Sequence, residues 1–200
     1  FKAGMLTAGA KLTYRSNDIY HQFYEGGEYS DAFSNDLLHT ELIPAAYVLF
    51  SSKIGKKFTY KAGLRGEFST VTLTSSHEGL DVRNNDFFVS PSLSGTLRLA
   101  ENQELSLAFS RRVGRPAYPQ LNPYMSMVDA TTYEQGNMHL RPEKSSKLDL
   151  SYNFKSRKVQ IFADAYMNYT TDYISQITKI SDGLLITTYI NGTSDLKTGA

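Results

Sequence analysis

FTYKAGLRGEF, residues 58–68, changes character at every step. Phe58, Tyr60, Ala62, Leu64, Gly66 and Phe68 occupy the even positions, while Thr59, Lys61, Gly63, Arg65 and Glu67 occupy the odd ones. Successive side chains of a strand point to opposite sides, so this segment has one apolar face and one charged face. At the tilt of strands in a membrane barrel, such a stretch climbs about 25 Å, the height of the apolar band of an outer membrane. The segment therefore reads as a strand with lipid on one side and water on the other.

Working outward, the same alternation returns. Leu6, Ala8, Ala10, Leu12 and Tyr14 oppose Thr7, Lys11 and Thr13; Val89, Leu93, Leu97 and Leu99 oppose Ser90, Ser92, Ser94, Thr96 and Arg98. Leu105, Leu107 and Phe109 oppose Glu104, Ser106, Ala108 and Ser110; Leu148, Leu150, Tyr152 and Phe154 oppose Lys147, Asp149, Ser151 and Asn153. Val159, Ile161, Ala163, Ala165 and Met167 oppose Gln160, Asp164 and Asn168, with Phe162 and Tyr166 on the wetter side. Residues 45–50 are apolar on both faces and give no clear alternation. Short turns are expected near residues 52–57, 100–104 and 155–158, and long loops near 16–36, 75–86 and 114–145. Ser181-Asp182-Gly183 is a short connection in a long-loop position. Short turns at one end and long loops at the other match the periplasmic and outer ends of an outer-membrane barrel. The pattern predicts about eight strands, the first over about residues 1–15 and the last over about 184–200.

Composition agrees with this reading. The chain has 200 residues, 14 Tyr, 11 Phe, no Trp and a mean hydropathy of −0.36, as expected for strands with one wet face. No run approaches 18 apolar residues, which excludes a membrane-spanning helix but not a spanning barrel. The net charge of +1 demands no nucleic-acid partner. Absence of cysteine excludes disulfides, thiolate metal sites and cysteine nucleophiles. A soluble antiparallel sheet also alternates. However, the predicted strands at 57–74 and 158–180 far exceed the roughly five or six residues of globular strands.

Residues 109–124, FSRRVGRPAYPQLNPY, followed by QGNMHLRPE at 135–143, resemble the signature of TonB-dependent receptor barrels common in Bacteroidetes. The resemblance rests on Ser110, Arg111, Arg112, Arg115, Pro116, Tyr118, Leu121, Asn122 and Pro123, and then on Gly136, Asn137, Leu140, Pro142 and Glu143. Tyr124 stands where Phe is usual, and Met138 where Pro is usual, which would loosen the turn after Asn137. AAYVLFSSKIGKKFTYKAGLRGE, DYISQI and INGTSDLKTGA are similar to further family strands. The resemblance implies a parent barrel of more strands, a plug domain ahead of it, and ligand import powered through the TonB system. Residues 1–200 would then be a partial barrel domain without the plug. The start at Phe1 and the stop at Ala200 give the same expectation of a fragment.

The candidate ligand-binding set is Arg111, Arg112, Arg115, Tyr118, Tyr124 and Tyr133. Guanidinium groups suit carboxylates and phosphates, and tyrosine rings stack on ligand faces while their hydroxyls hydrogen-bond. For the arginines, the stronger alternative is anchoring of an ordered loop fixed by Pro116, Pro119 and Pro123. The tyrosines, with Tyr20, Tyr24 and Tyr29, would otherwise form an interfacial belt. Arg65 and Glu67 are expected to face the lumen. His21, His39, His77 and His139 show no metal-ligand spacing, and DVRNND at 81–86 lacks the spacing of a calcium loop, so no metal and no cofactor are expected. No catalytic constellation is evident, and no enzymatic role is expected.

The fold expected is therefore all-β, an antiparallel up-and-down segment of a larger transmembrane barrel. Its partners would be outer-membrane lipid, the plug and TonB system through the parent chain, and an imported ligand (a siderophore, glycan, peptide or similar), with no nucleic acid. Two alternatives remain: a self-contained eight-stranded barrel acting as anchor or adhesin, which needs first and last strands to pair, and a soluble carbohydrate-binding β-sandwich, which needs the Phe58–Phe68 apolar face to be covered.

Overall fold

The computed structural model describes residues 4–75 and 80–200, the side chains of His21, Glu25 and residues 30–33 excepted; the expected start of the first strand at residues 1–3 and His77 lie outside the described residues. In chain order the elements are β1 (Met5–Glu25), β2 (Glu28–Ile54), β3 (Phe58–Ser75), β4 (Leu80–Ala100), β5 (Gln103–Gly114), α1 (Tyr118–Leu121), β6 (Met125–Met127), β7 (Thr132–Gln135), β8 (Glu143–Lys155), β9 (Gln160–Thr171), β10 (Ile174–Ser181), β11 (Leu184–Asn191) and β12 (Ser194–Gly199). Eight strands form one antiparallel sheet in the order β1-β2-β3-β4-β5-β8-β9-β12, and the other four form a smaller sheet, β10-β11-β7-β6.

Cross-strand partners share a face, so register carries the alternation of Phe58–Phe68 across the sheet. Arg65 faces Tyr47 and Ser90, and Leu64 faces Val48 and Pro91. The apolar face is bare: Leu64, Leu93, Leu107, Leu150 and Ile161 are all exposed. No second sheet covers it among the described residues, which removes the sandwich. β1 pairs only with β2 and β12 only with β9 among the described residues, so the sheet is open and the self-contained barrel falls too. Residues 45–50 resolve by register: Ala45, Tyr47 and Leu49 point with Glu67, Arg65 and Gly63 to the polar side.

Five expected boundaries need correction. The loop expected at 16–36 is β-structure, because β1 and β2 run on to a two-residue turn at Gly26-Gly27 whose positive φ angles of 61° and 91° favour glycine. Likewise residues 80–86 open β4 and 143–145 open β8. The expected strand 158–180 stops at Thr171, where Asp172 turns the chain with φ 54°. Residues 174–191 then form a separate hairpin, β10–β11, turning at Asp182-Gly183, before β12 rejoins the wall. The fourth outer connection, residues 172–193, is thus long like the third, and the last wall strand is Ser194–Gly199 rather than 184–200.

The strands outgrow the membrane because their faces exchange character. Beyond Phe68 the even positions of β3 become Thr70, Thr72 and Thr74, while the odd ones become Ser69, Val71, Leu73 and Ser75. β4 follows in register, with Val82 beside Leu73 and Leu80 beside Ser75. The pair Phe68–Phe87 marks the change, both rings exposed at the rim of the apolar band. Above this rim the inward face is the apolar one, and residues 115–142 fold over it. Leu121 and Leu140 from that segment bury Leu37 and Leu73, with Tyr118, Tyr124, Met138 and Val71 packed around them. This cluster is the main hydrophobic core.

Candidate functional site

Directly beneath that cluster, the polar face carries a ladder of charges. Register places Arg15 opposite Glu41 on neighbouring strands, and Glu67 opposite Ala45. Arg15 Nη1 donates to Glu41 Oε2 at 2.8 Å, and Arg65 Nε donates to Glu67 Oε1 at 2.5 Å. Arg115, the first residue after β5, reaches between them: Nη2 donates to Glu67 Oε2 at 2.8 Å, and Nε lies 4.0 Å from Glu41 Oε1. The side chains of Glu41 and Glu67 are only 5% and 11% exposed, so two carboxylates taken from water are matched by three guanidinium groups. Arg115 thus ties the loop to two strands far away in sequence. His39 sits one step above, its Nδ1 3.2 Å from Asn17 Nδ2 and its ring 6.1 Å from that of Tyr118.

The segment that follows is held by its own backbone. Pro119 opens α1 where no amide hydrogen bond is needed, and Gln120 Oε1 accepts from the Ala117 amide. The Gly136 amide donates to Asn122 O and the Asn137 amide to Gln120 O, both at 2.7 Å. Gly136 is demanded here: a Cβ would lie 2.5 Å from Asn122 O and 2.7 Å from Gln120 O. Despite Met138, the turn after Asn137 is closed, since Leu140 N donates to Asn137 O and His139 N to Asn137 Oδ1. The Tyr124 hydroxyl donates to Ser75 Oγ, which donates to Asp36 Oδ1. Burial pushes the Tyr118 phenol up from its ordinary pKa.

The two long outer connections are joined. β11 pairs in parallel with β7, Asn137 Nδ2 donates to Tyr189 O, and Asn191 exchanges two hydrogen bonds with the Arg141 backbone. The Tyr189 hydroxyl donates to Glu134 Oε1 at 2.6 Å, and this bond to a carboxylate raises the Tyr189 pKa. Arg141 and Lys144 both reach Asp172. Between wall and loop lies a cavity of about 260 Å³, lined by His39, Glu41, Asp86, Arg115, Leu140 and Lys144 among others. A second, polar recess of about 460 Å³ is lined by Arg112, Glu143, Asn168, Asp195 and Lys197.

The structure disperses the candidate residues. Arg65, Glu67 and Arg115 meet in the charge ladder, whereas Arg112 lines the second recess and Arg111 lies over the Phe88 ring, 5.1 Å from its centre. Tyr118 and Tyr124 turn toward the core, and Tyr133 sits in β7 opposite Met127. Tyr20, Tyr24 and Tyr29 stand exposed on the β1–β2 arm, Tyr24 and Tyr29 edge to face at 5.8 Å, so the six tyrosines make no single surface. Residues 81–86 are strand, not a calcium loop, and among the described residues no three His, Cys, Asp or Glu side chains gather as metal ligands. Sequence reading passed over Arg15 and Glu41 and weighed His39 only as a metal ligand; register alone brings the three near Arg115.

The family model described as "Outer membrane protein beta-barrel family" matches residues 1–200. Among solved structures, the copper transporter OprC superposes with a TM-score of 0.72 at 18% identity, over 96% of this chain and 31% of that one. The hemophore receptor HasR of Serratia marcescens, in complex with its hemophore HasA and heme, gives 0.67 at 12%, over 98% of this chain and 38% of that one. The siderophore receptor PirA of Pseudomonas aeruginosa gives 0.53 at 13%, over 96% and 46%. The likeness is one of fold, and the chain spans less than half the length of each. A search of curated proteins found no match. The chain belongs to the outer membrane protein beta-barrel family and forms an open stretch of barrel wall in the bacterial outer membrane.

Proposed function

We propose that this chain supplies part of the wall, and the outer loops, of a TonB-dependent receptor that imports a ligand across the outer membrane. The observation that carries this reading is the loop of residues 115–142 folded inward onto the wall and latched by Arg115 to Glu41 and Glu67. A wall serving only as an anchor has no use for a structured segment that narrows its interior. The fold shared with a hemophore receptor, a copper transporter and a siderophore receptor supports it. In this reading Arg65, Glu67, Arg115, Tyr118 and Tyr124 hold the loop in place. Arg112, Asn168 and Lys197 meet the plug or the passing ligand, and Arg111, Tyr133 and the tyrosines of the β1–β2 arm meet ligand farther out. The wall does no chemistry on its cargo.

Site-directed cross-linking of the full-length protein in cells tests this. A cysteine replacing Ser151, on the polar face, is expected to cross-link to an N-terminal domain of the same protein, whereas one replacing Ala165, on the lipid face, is not. Uptake by the same cells is expected to stop when TonB is deleted. Equal cross-linking from both faces, or uptake indifferent to TonB, would refute the proposal.

A further inference from the structure

The apolar face is not uniform. Three cross-strand rungs near the periplasmic turns run Phe58–Leu97–Leu105, Tyr60–Gly95–Leu107 and Ala62–Leu93–Phe109. The middle rung has no side chain at its centre, because position 95 is glycine. On one side stands an aromatic wall: Phe58 and Tyr60 stack at 5.9 Å, and Phe50 leans on Tyr60 at 6.0 Å. Leu105 and Leu107 form the other wall, and Leu93 and Leu97 flank Gly95 along β4. The result is an apolar groove of about 250 Å³ floored by Gly95, where an added Cβ would press on the Phe58 ring at 3.0 Å.

We propose that this groove seats one acyl chain of an anionic phospholipid from the periplasmic leaflet, with its phosphate held by Lys56 and Lys57. The groove lies inside the lipid-facing band, so hydrocarbon is the medium that meets it. From Leu93 to Leu97 the floor runs about 13 Å, enough for roughly ten methylenes of an extended chain. Its periplasmic mouth is basic: the Arg98 amide donates to Lys57 O at 2.7 Å, which fixes the turn beside the end of β4, next to Leu97. Lys56 and Lys57 are exposed, and among the described residues neither has an ion-pair partner. Glu101 stands in the adjoining turn, and Lys53, whose rung partner is Thr59, belongs to the polar face. Cations at the headgroup level above an apolar slot select an anionic lipid over a zwitterionic one.

Native mass spectrometry of the full-length protein from outer membranes, exchanged against phosphatidylglycerol and phosphatidylethanolamine, tests the proposal. The native protein is expected to keep one phospholipid through delipidation and to prefer phosphatidylglycerol. Lys56→Glu with Lys57→Glu, both on the exposed turn, is expected to lower that preference at least fivefold, and Gly95→Leu to remove the retained lipid. If Gly95→Leu does not fold, the lysine variant decides alone. Undiminished preference in the lysine variant, an adduct surviving in a folded Gly95→Leu protein, or retention of lipopolysaccharide instead overturns it.

Discussion

Arginine placed at two positions of equal parity on β3 separates the membrane stretch of the strand from its outer extension. Leu64 lies six residues from Phe58 and four from Phe68, the limits of the apolar band. At about 3.3 Å per residue and a tilt near 40°, that puts Leu64 within about 3 Å of the midplane. Its neighbours on the rung are Val48 and Pro91, and it is 49% exposed, all of it to lipid. Leu64→Arg is expected to cost about 2–4 kcal/mol, roughly a 30- to 1000-fold loss in the folding equilibrium. Thr74 points the same way but lies six residues past Phe68, about 15 Å above the band, with Asp81 opposite. Thr74→Arg should change stability by less than about 0.5 kcal/mol. The segment has no Trp, so urea titration of protein folded into phospholipid vesicles is best followed by heat-modifiable gel mobility. Equal costs at the two sites, or a Leu64→Arg cost below about 0.5 kcal/mol, would refute the assigned faces and the exchange at Phe68.

Arg115→Ala should destabilise the inward loop by about 1–3 kcal/mol, below the cost of a fully orphaned buried charge, because Glu67 keeps Arg65 and Glu41 keeps Arg15. Limited proteolysis should then cut within residues 115–142 while the wall strands stay protected; an uncut loop would count against the latch. Gly136→Ala should loosen the same loop by more than about 1 kcal/mol through its clash with Asn122 and Gln120 backbone, and an unchanged proteolysis pattern would show that backbone yields freely. Tyr189 has its pKa raised by Glu134, so its contribution is present below the ordinary tyrosine value and lost as pH climbs through the raised one. Carbon NMR of the tyrosine rings should show Glu134→Gln bringing Tyr189 back down; no movement would mean the bond does not form.

What could be read from sequence is what local alternation controls. The strands around Phe58–Phe68, 89–99, 105–109 and 147–154 were legible because each carries its own two-residue period, and the periplasmic turns because they interrupt it. The extension of β3 to residue 74 was expected, but those of β1, β2 and β4 were not, because polarity exchanges between faces above Phe68 and the polar composition of residues 80–86, like the polar, glycine-containing one of residues 16–36, then resembles a loop. The turn at Ser181-Asp182-Gly183 was expected, but the separation of β10 and β11 from the wall at Asp172 and Ser194 was not, since no change in the pattern marks those two points. The charge ladder lay further out of reach. Glu67 and Arg115 are 48 residues apart, and only the β1–β2–β3 register sets Arg15 and Glu41 beside them. By contrast Asn122, Gly136 and Asn137 stood in the motif that carried the resemblance, and the structure gives their reason: they tie the two halves of one loop together.

The parallel strip between β7 and β11 has a consequence for how such a barrel can change over time. Residues 115–142 and 172–193 leave the wall at different places yet share a sheet, a Tyr189–Glu134 bond and the Asn137 and Asn191 clasps. A crossover that replaced one of them from a distant relative would strand hydrogen-bond donors and acceptors in the other. The two should therefore be inherited, and grafted by engineers, as one cassette spanning both, with β8 and β9 carried along as its stem.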